Sequence, residues 1–176
     1  MYCKDHEIHN SQLILKNHTK MVNDLYFVYD FFKDIFPYGD STEAYPLYNV
    51  FCATSPDPVW YQLLQELKLI IRNFAGHNDP LWMQAWLNYH TPETVLGWHG
   101  HDWPIHGYIN INPFDTETQF EDYTVKNKIG NIYIGPGHRL HKVNVKSNFI
   151  EPRLTIGFDV HDKPEPPFRH FSLMPL

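Results

Sequence analysis

Between Leu81 and Val160 the chain divides into short extended segments, each closed off by Gly, Pro, Asn or Asp. They are Leu81–His90, Val95–His101, His106–Asn112, Thr118–Val125, Gly130–Ile134, His141–Val145 and Arg153–Val160. Short strands at even spacing, punctuated by turn residues, fold as a sandwich or a barrel. Two of the segments alternate cleanly. In the last, Arg153, Thr155, Gly157 and Asp159 share one face, and Leu154, Ile156 and Phe158 share the other. In the third, His106, Tyr108, Asn110 and Asn112 oppose Gly107, Ile109 and Ile111. Successive strand side chains point to opposite faces, so each of these strands has one polar and one apolar side. A charged face turned into a barrel is costly unless it binds something. At a solvent-exposed edge it costs little.

Ahead of the strands the period changes. Met21, Leu25, Val28, Phe31, Phe32, Ile35 and Phe36 recur mainly at three- and four-residue steps, which predicts a helix that Pro37, Gly39 and Asp40 stop. Pro46 to Thr54 reads as extended. Ser55-Pro56-Asp57-Pro58 is a helix-start signal, with Pro58 suited to the first turn. Trp60, Leu63, Leu64, Leu67, Ile70, Ile71 and Phe74 then form a second amphipathic helix, ended by Gly76 to Pro80. Helices followed by a run of strands predict a mainly β fold with N-terminal helices packed on one face of a β-roll. The 176 residues suit one domain. It would consist of a mainly helical support over 1–80, a β core over 81–160 and an extended tail over 161–176. The tail carries Pro164, Pro166, Pro167 and Pro175.

Composition narrows the class. Hydrophobic residues at 43% and charged residues at 19% fit a globular chain rather than a disordered one. No apolar run approaches the roughly 20 residues that span a bilayer, and Met1 to Asn10 is polar, unlike a secretory signal. A membrane partner is therefore not expected. The cysteines, Cys3 and Cys52, are too few for a disulfide scaffold, which favours a reducing cytoplasm. A formal charge of −6 without a dense Lys/Arg cluster argues against nucleic acid as the main partner.

Histidine is abundant, at 12 residues, and spacing decides which of them carry chemistry. In Gly97-Trp98-His99-Gly100-His101-Asp102-Trp103, His99 and His101 fall on one face of a strand and can converge on one ion. Asp102 is the alternate. With His99 it would restore a two-histidine, one-carboxylate set, the usual one for iron(II). Strand geometry favours His101 and ligand chemistry favours Asp102. A third ligand is expected from Gly135-Pro136-Gly137-His138-Arg139-Leu140-His141. His141 opens a strand, whereas His138 sits in the glycine turn, and ligands are best held on rigid elements. Downstream, Arg153 offers a planar fork that matches a carboxylate, with the Thr155 hydroxyl on the same strand face. Tyr108 and Asn110 can line the same pocket, and Tyr89 is a further candidate to hydrogen-bond a bound acid. Taken singly, each of these residues is as well explained by an exposed or structural role.

Taken together, they carry a resemblance. Trp98-His99-Gly100-His101, His106-Gly107-Tyr108-Ile109, Asn131 to Gly137, His141-Lys142-Val143 and Arg153 to Val160 resemble the small 2-oxoglutarate and iron(II)-dependent oxygenases of marine phages and bacteria. The resemblance spans about Leu81 to Val160. It departs from the wider superfamily at His101, where that superfamily carries Asp or Glu. It implies a double-stranded β-helix (a jelly roll, cupin-like) and an iron(II) on three protein ligands, for which strand geometry selects His99, His101 and His141, with Asp102 and His138 as alternates. It also implies 2-oxoglutarate as co-substrate, with its distal carboxylate on Arg153 and Thr155. The implied reaction is oxidative decarboxylation of 2-oxoglutarate coupled to hydroxylation of a small-molecule or peptide substrate. Two other readings fit the same residues: a three-histidine, cupin-like metalloenzyme that does not use 2-oxoglutarate, and a non-catalytic β-roll binding module.

Overall fold

The computed structural model describes residues 5–36, 40–163 and 172–176. Strand β1 (Glu7–Asn10) leads into α1 (Gln12–Phe32), whose first turn is capped by the Ser11 hydroxyl. A 3-10 turn, Lys33–Ile35, follows. α2 (Val50–Thr54) is a five-residue helix where extended chain was expected. The Asn49 side chain accepts from the Phe51 amide and starts it. α3 (Pro58–Ala75) begins as its sequence requires: Asp57 accepts from the Val59 and Trp60 amides, and Pro58 occupies the first turn. Gly76, at φ 72, closes it in the left-handed conformation.

Eight further strands follow: β2 (Trp82–His90), β3 (Ile105–Asn112), β4 (Thr116–Phe120), β5 (Thr124–Lys126), β6 (Asn131–Pro136), β7 (His141–Val145), β8 (Arg153–His161) and β9 (Met174–Pro175). The segment expected as one strand over Thr118–Val125 is two, β4 and β5, turning back on each other. The expected strand Val95–His101 is not a regular strand. It runs beside β7, held by the reciprocal backbone bonds of His99 and His141 and by Val143 N–H to Leu96 C=O. Of the proline-rich tail, residues 164–171 lie outside the described residues. Met174–Pro175 pairs with Trp82 and Met83.

The strands form two antiparallel sheets, one in the order β1-β6-β3-β8-β2-β9 and one in the order β5-β4-β7. From β2 onward the chain alternates between them. β2, β3, β6 and β8 lie in the large sheet; the 96–101 segment, β4, β5 and β7 lie in the small one. That winding is a jelly-roll, cupin-like double-stranded β-helix. The inner faces meet where Tyr108 and Tyr133 of the large sheet pack on Phe120 and Val125 of the small one. The outer face of the large sheet carries the helices. Leu154, Ile156, Phe158 and Val160 of β8 share one core with Met21 and Leu25 of α1 and Leu63 and Leu67 of α3.

β8 lies between β3 and β2 and is buried over its whole length. Its polar face is therefore interior, not an exposed edge: Arg153, Thr155, Gly157 and Asp159 all point between the sheets and line one cavity. On the opposite side of β3, Gly107 lies against the Phe158 ring and the Tyr133 carbonyl with no room for a Cβ. Gly107→Ala is expected to cost about 2–3 kcal/mol in urea unfolding, the upper end for overpacking a core. Asp57→Ala, which removes only the α3 cap, should cost about 1 kcal/mol.

Candidate metal centre and anion pocket

A cavity of about 310 Å³ opens between the sheets, at the lower end of the roughly 300–1,000 Å³ typical of small-ligand sites. Three imidazoles meet on its wall: His99 and His141, hydrogen-bonded through their backbones, and His101, whose N–H donates to the Gly137 carbonyl. One ring nitrogen or more of each lies within 4.8 Å of the others. The Nδ1 atoms are all engaged elsewhere. That of His99 is 2.8 Å from the Gly97 carbonyl, and that of His141 is 3.1 Å from the Arg139 carbonyl. That of His101 is 3.1 Å from Asp159 Oδ2. Each acceptor fixes the proton on Nδ1 and leaves the Nε2 lone pair for an ion, the arrangement in which metal-binding histidines are held. His101 Nε2 is buried and has no hydrogen-bond partner. This donor set fits a divalent metal of the borderline class, iron(II) and zinc among them.

Burial favours the neutral, ligating form. Desolvation, with the neighbouring His106 and His99 rings, pulls His141 far below its ordinary 6.5. Desolvation also lowers His99, despite the Gly97 carbonyl. His106 is not in the trio. It stacks on His101 at 3.6 Å between ring centroids, and its Nδ1 lies 2.9 Å from Asp159 Oδ1. Burial brings it down to about 4. Burial alone would raise Asp159, but the neighbouring His101 and His106 rings and their hydrogen bonds outweigh it and hold the carboxyl below its usual range.

Arg153 lies elsewhere on the same inward face of β8. It is 3% exposed, its Nη1 donates to Thr155 Oγ1 at 3.2 Å, and its Nε has no partner. Burial lowers it only to about 10, so it stays cationic at neutral pH. Among the described residues no carboxylate pairs with it. Thr155 Oγ1 also accepts from Asn88, whose Oδ1 takes Thr42 and the Trp86 indole N–H. Tyr108 lines the same cavity, and burial raises its hydroxyl, which remains a donor.

Of the residues expected from sequence, His99, His101, His141, Arg153, Thr155 and Tyr108 come together in this cavity. Asp102 does not join the histidines. It is exposed at the cavity's margin, in the bend that follows His101, outside the group the three histidines form. His138 is exposed in the turn before β7 and borders a separate hollow with Phe120 and Asp122. Tyr89 is a correction: it lies on the outer face of β2, stacked on Tyr29 of α1 at 3.7 Å. Trp86 and Asn88 have the inward parity on that strand. Asn110 is also a correction. It shares the face of His106 and Tyr108 and is fully buried, but it does not line the cavity. Alternation puts Asp159 and His106 on the polar faces of their strands, yet nothing in the sequence links either to His101.

Among solved structures, the chain is similar to a cupin-2 domain containing protein from Shewanella frigidimarina NCIMB 400. Identity is 22%, covering 46% of this chain and 71% of that one, with a TM-score of 0.34. No protein-family model matches the chain, and no curated protein matches it.

Two outcomes follow from this geometry. Titrated with cobalt(II), the protein should take up one equivalent. His141→Ala should lose it, whereas Asp102→Ala and His138→Ala should retain it; loss in Asp102→Ala would move the ligand set to the carboxylate. The second outcome concerns acid. His90 and His106 bind a proton near the ordinary 6.5 when unfolded but only at about 4 when folded. Protons therefore favour unfolding, and metal-free protein should lose stability as pH falls from 6.5 through about 4, read from urea midpoints. A flat profile over that window would contradict the buried neutral imidazoles.

Proposed function

We propose that the protein is a 2-oxoglutarate-dependent, non-haem iron(II) oxygenase that hydroxylates a small-molecule or peptide substrate. The observation that carries this reading is Arg153, a buried guanidinium on a cavity wall with no carboxylate of its own. An uncompensated buried charge is strongly destabilising, so such a group calls for an anion.

In this reading His99, His101 and His141 hold iron(II), which supplies the dioxygen chemistry that side chains lack. Arg153 and Thr155 bind the distal carboxylate of the co-substrate, the guanidinium as a fork and the hydroxyl beside it. Asn88 fixes Thr155, and Trp86, anchored on Asn88, walls the cavity against water. Tyr108 donates its phenolic proton to a bound oxygen rather than giving it up. No helix among the described residues is long and apolar enough to cross a membrane. The low cysteine count supports a reducing cytoplasm as the setting.

A second reading has its own observation: the donor set contains no carboxylate, as in a three-histidine, cupin-like metalloenzyme that does without 2-oxoglutarate. Anaerobic addition of iron(II) and then 2-oxoglutarate separates the two. A saturable visible charge-transfer band at one equivalent is expected. Iron uptake without a band would favour the second reading. Arg153→Ala should bind iron normally but weaken 2-oxoglutarate by about 10- to 100-fold, the worth of a charged hydrogen bond. Unchanged co-substrate affinity would remove Arg153 as the anchor.

A further inference from the structure

The ligand set lacks a carboxylate, yet a carboxylate sits one bond behind it. Asp159 is 1% exposed. Its two oxygens are divided between two imidazoles, Oδ2 toward His101 Nδ1 at 3.1 Å and Oδ1 toward His106 Nδ1 at 2.9 Å. The sheet fixes this arrangement: His106 and Asp159 are cross-strand neighbours in the β3–β8 register. The His101 and His106 rings stack at 3.6 Å with 12° between their planes. Two residues before Asp159 on the same face, Gly157 lets the Trp86 ring in; a Cβ there would lie 2.6 Å from the indole. Trp86 in turn packs beside His101 and His106, at 5.9 and 6.2 Å between centroids. Of the three histidines, His99 and His141 rest their Nδ1 atoms on neutral backbone carbonyls, and only His101 rests on an ionised group.

We propose that Asp159 is the positioning residue of the metal centre, acting through His101, with His106 as its brace. This rests on the three-histidine centre of the preceding section. Asp159 holds the His101 proton on Nδ1, aims Nε2 into the cavity and strengthens that nitrogen as a donor, as an anionic partner behind a ligating imidazole does. It thereby delivers to the centre a negative charge that the ligands themselves do not contain. It also accounts for a ligand at His101 where Asp102 would have been the chemically ordinary choice. His101, His106 and Asp159 are themselves close enough to hold an ion. Both Asp159 oxygens and the Nδ1 atoms of His101 and His106 are engaged with one another, which favours the trio that includes His99 and His141 as the ion's place.

The test is a cobalt(II) titration of the full chain, following the visible absorption of the bound ion. The unaltered protein should bind one equivalent. The isosteric, uncharged Asp159→Asn should bind it about 10- to 100-fold more weakly, with altered cobalt bands. Its unfolding should remain cooperative. His106→Gln keeps the Asp159–His101 bond and should lose less; it also serves should Asp159→Asn not fold. Full retention of affinity and bands in Asp159→Asn would overturn the proposal. So would a second equivalent in the unaltered protein that Asp159→Asn loses, since Asp159 would then be a ligand of its own site. In the absence of a folded Asp159→Asn, unchanged affinity and bands in His106→Gln would overturn it. If the unaltered protein bound no cobalt(II), the metal centre itself would fall, and this inference with it.

Discussion

β8 lies in the middle of the large sheet with helices on one side and the small sheet on the other, and all of its residues are buried. Five of its nine residues are nevertheless polar or glycine. A strand placed so can exist only if its polar half is answered from the other sheet or by a bound group. The fold does both. Asp159 is answered by two imidazoles, and Thr155 by Asn88 and Arg153. Arg153 is the one charge on the strand that the described residues leave unneutralised. The apolar half meets the core of α1 and α3. The same strand thus fastens the helical layer to the sheet and furnishes the floor of the cavity.

The alternation of β8 and β3 was legible because each pairs a polar face with an apolar one, and a period of two leaves little freedom in such strands. The helices were legible from their apolar steps and, for α3, from Asp57 and Pro58. β2 alternates as well, with Met83, Ala85, Leu87 and Tyr89 on one face and Gln84, Trp86, Asn88 and His90 on the other, so parity alone separates Tyr89 from Trp86. α2 is too short for periodicity, and its Asn49 cap is hidden among apolar neighbours. The 96–101 segment holds its two histidines together as a strand would, although Gly97 and Gly100 interrupt it and only scattered bonds tie it to β7. The Asp159–His101 bond joins positions 58 apart and exists only once both sheets are wound.

Electrostatics separates the two ends of the cavity. At the histidine end, burial holds His141 and His106 neutral, and His101 and His106 both donate to one carboxylate. At the other end a cation survives burial, with a threonine and a protonated phenol around it. Arg153 and Asp159 are six residues apart on one strand, about 20 Å along it at about 3.3 Å per residue. That separation keeps them from neutralising each other.

The wall opposite the strands comes from the N-terminal half of the chain. The segment between α1 and α2 is tied to β2: Ser41 donates to the Leu87 carbonyl at 2.7 Å, and the Gln84 amide donates to the Tyr45 and Tyr48 carbonyls. The Thr42 hydroxyl donates to Asn88 Oδ1 and accepts from His90 Nε2 at 2.9 Å. Thr42, Glu43 and Tyr45 then line the cavity. These contacts connect the segment to the Asn88–Thr155–Arg153 chain of hydrogen bonds, so its position and that of the guanidinium are set together. Loops carry specificity because they vary while the scaffold does not. This segment is anchored to the scaffold at its backbone and side chains yet presents Glu43 and Tyr45 to the cavity. In the proposed oxygenase it is the part of the wall best placed to choose among substrates without disturbing the strands that hold the metal and the co-substrate.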